Sequence, residues 1–114
     1  MTLLLSLQLQ LSGNKMYLRM AMLRFPNQAK ADAFILMMKG VFYEKLKTET
    51  LQQEQITIKT GEGKLIGIGF YKSEEDFKKS SNSIKKMFSD SMKSLDGVFE
   101  WQDGTIVAHW KRNE

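Results

Sequence analysis

Residues 17–25 are apolar on both faces of any strand they form. Tyr17, Ala21 and Leu23 fall on one face together with Arg19. Leu18, Met20 and Met22 fall on the other, ending at Arg24. A strand of this kind must be covered on both sides. A chain of 114 residues has enough length for one domain with one core, read here as residues 1–114. What covers the two sides of this strand therefore decides the fold.

The flanking segments supply one cover. Leu5, Leu7, Leu9 and Leu11 alternate with polar residues, so residues 3–11 read as an added N-terminal strand before a Gly13-Asn14 turn. Pro26 stops the 17–25 strand and Asn27 is a plausible N-cap. A helix follows from about 28 to 41, bent or ended at Gly40, with 42–47 as a second helical piece. Residues 54–60 and 65–71 alternate as strands around Gly61-Glu62-Gly63. Ser73 and Asp76 open a second helix, with Glu74 and Glu75 at its positive end. Phe77, Ile84, Met87, Phe88 and Leu95 form its apolar stripe, and Asp96-Gly97 ends it. Residues 98–102 and 105–111 read as a closing hairpin across Asp103-Gly104. Without its first and last strands the order is βαββαβ, the ferredoxin-like α+β unit: an antiparallel sheet with two helices on one face. The other face, with Ile56, Ile58, Ile66, Ile68 and Phe70 beside Leu18, Met20 and Met22, then calls for a twofold partner.

Composition narrows the chemistry. There is no cysteine, so thiol catalysis and disulfides are excluded. One histidine, His109, cannot make a His-rich metal site. The net charge of +4 rests mostly on lysine, with Arg19, Arg24 and Arg112 the arginines, which argues against nucleic acid. Ile66-Gly67-Ile68-Gly69-Phe70 keeps the glycines of an RNA-recognition strand but lacks its basic residue and a stacking ring. Lys79, Lys86 and Lys93, with Lys78 and Lys85, read as the solvated face of the second helix. No segment is long and apolar enough to span a bilayer, so no membrane partner is expected. The N-terminal leucines lack the basic flank and cleavage site of a signal peptide, and a cytoplasmic location is expected.

The element order, the Pro-Asn passage after residues 17–25, and Phe70-Tyr71-Lys72-Ser73-Glu74-Glu75-Asp76-Phe77 carry a resemblance. Over about residues 16–111 the chain resembles the dimeric α+β barrel superfamily, and within it antibiotic-biosynthesis-type monooxygenases. The resemblance implies two sheets packed face to face across a homodimer, and a ligand held between each sheet and its helices. The heme-degrading branch uses an asparagine on the first strand and a histidine on a helix. Here that strand offers Arg19 and Arg24, and His109 lies in the last strand, so heme degradation is not expected.

Several residues stand out as candidates. Gly67 and Gly69 share a face with Leu65 and Tyr71, opposite Ser80 and Ser81 on the second helix. Small residues facing small residues leave either close helix–sheet packing or a gap for an apolar ligand. Met20, Met22, Met37, Met38, Met87 and Met92 suit an adaptable interior. Arg19, on an apolar face, wants an anion: a structural carboxylate or a ligand's. His109 is a structural residue or an acid–base group. Trp101, Phe99 and Trp110 read as hairpin and interface aromatics.

Together these imply a homodimer that binds an apolar small molecule bearing a carboxylate or ketone, with no cofactor. Its pocket would draw on Phe34, Met38, Phe42, Gly67, Gly69, Tyr71, Ser81 and Met87, with Arg19, Tyr71 and His109 orienting the polar end. The alternative is a cofactor-independent monooxygenase acting on a polycyclic or quinone-like substrate.

Overall fold

The computed structural model describes residues 16–112. Its elements are β1 (Tyr17–Arg24), α1 (Gln28–Met37), a π-helical turn (Met38–Phe42), α2 (Tyr43–Glu49), β2 (Glu54–Gly61), β3 (Lys64–Tyr71), α3 (Glu74–Ser94) and β4 (Val98–Thr105). The strands make one antiparallel sheet in the order β2-β3-β1-β4. This is the ferredoxin-like α+β arrangement, with the helices over one face. The expected strand at 3–11 and its turn lie outside the described residues. β1 is bonded to β3 on one edge and β4 on the other, so neither edge is open to a further strand.

The local signals that start and stop the helices act as expected. The Asn27 side chain accepts from Lys30 N at 2.9 Å, and Ser73 Oγ accepts from Asp76 N at 3.1 Å. At the end of α3, Gly97 N bonds Met92 O and Asp96 N bonds Lys93 O, a Schellman closure. Here Asp96, not the glycine, takes the left-handed backbone, at φ 55°. Gly97 is needed for space: a Cβ there would meet Met92 Cε at 2.6 Å and the Phe25 ring at 3.0 Å.

Gly40 does not end the first helix. The chain passes through the π turn instead, with Tyr43 N bonding Met38 O. Phe34, Met38, Phe42 and Leu46 are all buried, each four residues after the last. At 3.6 residues per turn, such a stripe would swing about 120° away from the sheet over that distance. The wider π turn takes up the drift and keeps all four side chains inward.

The C-terminal hairpin expected from the sequence is absent. β4 runs straight through Asp103-Gly104, with Asp103 opposite Arg19, Gly104 opposite Leu18 and Thr105 opposite Tyr17. An eight-residue β1 presents eight residues' worth of backbone edge, and a turn at 103–104 would strip the Tyr17 end of its partners. Residues 106–112 have no regular structure, although Ile106 N still bonds Met16 O at 3.0 Å.

The core lies between sheet and helices. Phe34 is its hub, with ring centroids 5.4 Å from Phe25, 6.1 Å from Phe42 and 5.9 Å from Phe88. On the opposite sheet face, Met20, Met22, Ile56 and Ile58 are each about 40% exposed in the single chain. Replacing Phe34 by alanine removes the hub, and urea denaturation should show a loss of about 3–5 kcal/mol.

Candidate functional site

The inward faces of three strands and α3 converge on Arg19. Strand register sets Gly69 on one side of it and Asp103 on the other, with the Tyr71–Tyr17–Thr105 row next along the sheet. Arg19 is only 7% exposed. Its guanidinium carbon lies 3.9 Å from the Trp101 ring centroid and 4.5 Å from that of Phe77, so the group sits between two aromatic faces. Nη2 donates to Ser81 Oγ over a long 3.4 Å, while Nε and Nη1 have no partner among the described residues. Among the described residues no carboxylate is within ion-pairing distance of it. Burial works against its charge and lowers its pKa, while the nearby Tyr71, Asp103 and Tyr17 oppose that shift.

Two tyrosines complete the polar ring. The Tyr17 hydroxyl donates to Asp103 Oδ2, and this bond, more than burial, pushes its pKa up to about 12. The Tyr71 hydroxyl accepts from Gln52 Nε2 at 2.9 Å; burial raises its pKa, against the Gln52 bond and the Arg19 charge.

Gly67 and Gly69 face inward, across from Ile84 and Phe88 on α3 rather than from Ser80 and Ser81. Two amides largely fill the room this creates. A Cβ on Gly69 would lie 2.9 Å from Gln52 Cδ and 3.3 Å from Gln55 Oε1, and one on Gly67 would lie 3.2 Å from Gln55 Nε2. What remains is a cavity of about 10 Å³, bordered by Arg19, Gln52, Gln55, Gly67, Gly69 and Ile84. That is the size of one water.

Arg19, Gly67 and Gly69 thus border one space, and Ser81 and Tyr71 adjoin it. Phe34, Met38 and Phe42 pack in the main core, and Met87 packs partly buried against it. His109 is exposed beyond the end of β4, away from the others, because the strand that was to carry it does not form. Sequence reasoning missed Trp101 and Phe77 as the walls around Arg19, Tyr17 and Asp103 as a pair, and Gln52 and Gln55 as filler. Only Tyr17 carried a usable signal, sharing a strand face with Arg19.

A buried cation between two rings, with unpaired N–H groups and two tyrosine hydroxyls nearby, suits the carboxylate or carbonyl end of a flat molecule. Several solved structures share the fold. A dimeric ferredoxin-like protein from an uncultured marine organism superposes with a TM-score of 0.68 at 15% identity, over 87% of this chain and 94% of that one. The monooxygenase from ActVA-Orf6 of Streptomyces coelicolor, solved with nanaomycin D, gives 0.72 at 9% identity over 89% and 96%. SnoaB of Streptomyces nogalater, a cofactor-independent oxygenase, gives 0.60 at 7% over 88% and 99%. The chain shares the fold of these proteins. No protein-family model and no curated protein sequence matches it.

The Tyr17 bond has a pH signature. A tyrosine whose pKa is higher folded than unfolded stabilises the fold fully below pH 10, and that contribution fades as pH rises towards about 12. Asp103→Asn should bring the Tyr17 midpoint down, read from its ring resonances by NMR, and shrink the stability lost across that window.

Proposed function

We propose that the protein acts as a homodimer that binds an apolar small molecule bearing a carboxylate or ketone, with Arg19 holding that group. The supporting observation is the buried guanidinium with Nε and Nη1 unpaired. A buried guanidinium with unbonded N–H groups destabilises a fold, and a ligand anion or carbonyl oxygen would supply the missing partner. Trp101 and Phe77 hold the guanidinium in place between their rings. Binding 1-hydroxy-2-naphthoate should weaken at least about tenfold in Arg19→Gln, read by calorimetry, as expected for a lost charge-assisted bond. Equal affinity in the two proteins would remove Arg19 from the site.

The outer sheet face supports the dimer. Eight-residue strands, four abreast, make a face of roughly 27 by 19 Å. Its rows hold Met20, Met22, Ile56 and Ile58, with Ile66, Ile68 and Phe70 half-buried among them. An apolar area of several hundred Å² is at the upper limit for a monomer. Sedimentation should therefore show a dimer at micromolar concentration, and Ile68→Lys should yield a folded monomer.

The second reading, a cofactor-independent monooxygenase, draws support from the two oxygenases that share the fold. Anthrone separates the readings. Its CH2 group and one O2 would give a C=O group and one water, with the substrate itself as the reductant. Oxygen uptake matched to anthraquinone formed favours this reading, and binding without uptake favours the first.

A further inference from the structure

Gln52 and Gln55 border two spaces at once. Inside is the water-sized cavity against Arg19. Outside is a groove of about 470 Å³ between α2 and β2, bounded by Tyr43, Leu46, Lys47 and Thr50. Among the described residues, no other side chain borders both. We propose that this groove is the outer half of the ligand site and that the two amides are its removable partition. Resting on the reading of Arg19 given above, the ligand's body lies between α2 and β2, and its carboxylate or carbonyl passes Gln52 to reach the guanidinium.

The closed position of Gln52 is poorly satisfied. Nε2 bonds the Tyr71 hydroxyl, but Oε1 is buried with no partner among the described residues. A buried carbonyl oxygen left unbonded favours any arrangement that returns it to water. The backbone beneath it is fixed: Leu51 N bonds Ser80 Oγ at 2.8 Å, and Gln53 N bonds Phe70 O at 2.7 Å. The side chain can therefore swing while the segment stays in place.

The strand is shaped for such an exchange. Gly67 and Gly69 leave room that a purely structural core would fill with branched side chains on β3. Here flexible amides reach in from the neighbouring loop and strand, and leave room for ligand atoms when they withdraw. Withdrawal also frees the Tyr71 hydroxyl to donate to the arriving oxygen. The groove is within the usual size range for small-molecule sites.

Phenylglyoxal, an apolar aromatic dicarbonyl that condenses with guanidinium groups, tests the partition without a ligand. Peptide mass mapping reports Arg19 separately from the exposed Arg24. Arg19 should react at least about tenfold more slowly than Arg24 in the wild type, and Gln52→Ala with Gln55→Ala should raise its rate at least about fivefold with Arg24 unchanged. If that double variant loses its fold, Gln52→Asn, one methylene shorter, carries the same comparison. An Arg19 rate unchanged in a folded variant, or equal to that of Arg24 in the wild type, overturns the partition. Stopped-flow association of 1-hydroxy-2-naphthoate keeps the two readings apart. Arg19-dependent binding whose association rate does not rise in Gln52→Ala refutes the partition and leaves the site standing. No binding to the wild type refutes the site, and the partition with it.

Discussion

β1 is hydrogen bonded along both edges, from Tyr17 to Arg24, and its inward face carries a charge. A central strand cannot shift to relieve a badly placed side chain without breaking two ladders. The Arg19 guanidinium therefore stays where the register puts it, and the surroundings adapt. Trp101 and Phe77 close over its faces, Ser81 takes one N–H, and the strand opposite is reduced to glycine at Gly69. The polar chemistry of the molecule collects at this one point because the sheet cannot release it.

The helical layer solves a different problem. Phe34, Met38, Phe42 and Leu46 must stay over the sheet for three turns at a spacing that an ordinary helix does not keep. The π turn at Met38–Phe42 corrects the phase, and α2 then ends where Thr50 Oγ1 bonds Leu46 O at 2.6 Å. That termination, together with Leu51 on Ser80, delivers Gln52 and Gln55 to the space above Gly67 and Gly69. The inward phase of one helix and the filling of the glycine gap are thus linked through a four-residue connection.

Features set by neighbouring residues were legible in the sequence. Asn27 and Ser73 announce their helices because capping acts over three residues, and the alternation in β3 places Gly67 and Gly69 inward without tertiary knowledge. Features set by distant pairing were not. The end of β4 depends on how many residues β1 offers it, 86 positions away between Tyr17 and Asp103, so Asp103-Gly104 looked like a turn. That misreading also placed His109 in a strand, when it stands exposed beyond one. Gln52 precedes the expected 54–60 strand and Gln55 lies within it, and only packing shows both amides set against the glycines. The sequence left close packing and a gap both open, and the two amides nearly fill the space. The repeated four-residue spacing from Phe34 to Leu46 was a visible sign of the π turn, hidden behind Gly40.

The pairing of β1 with β4 joins an early part of the chain to a late one. Contacts of such long sequence separation form slowly, because the loop must close before any bond rewards it. During synthesis the edge of β1 that meets β4 has no partner until Val98–Thr105 leaves the ribosome. Until then the nascent sheet exposes a bare ladder beside Arg19, the arrangement most open to pairing with another chain. The strand that anchors the finished site is thus the last to be protected while the protein is made.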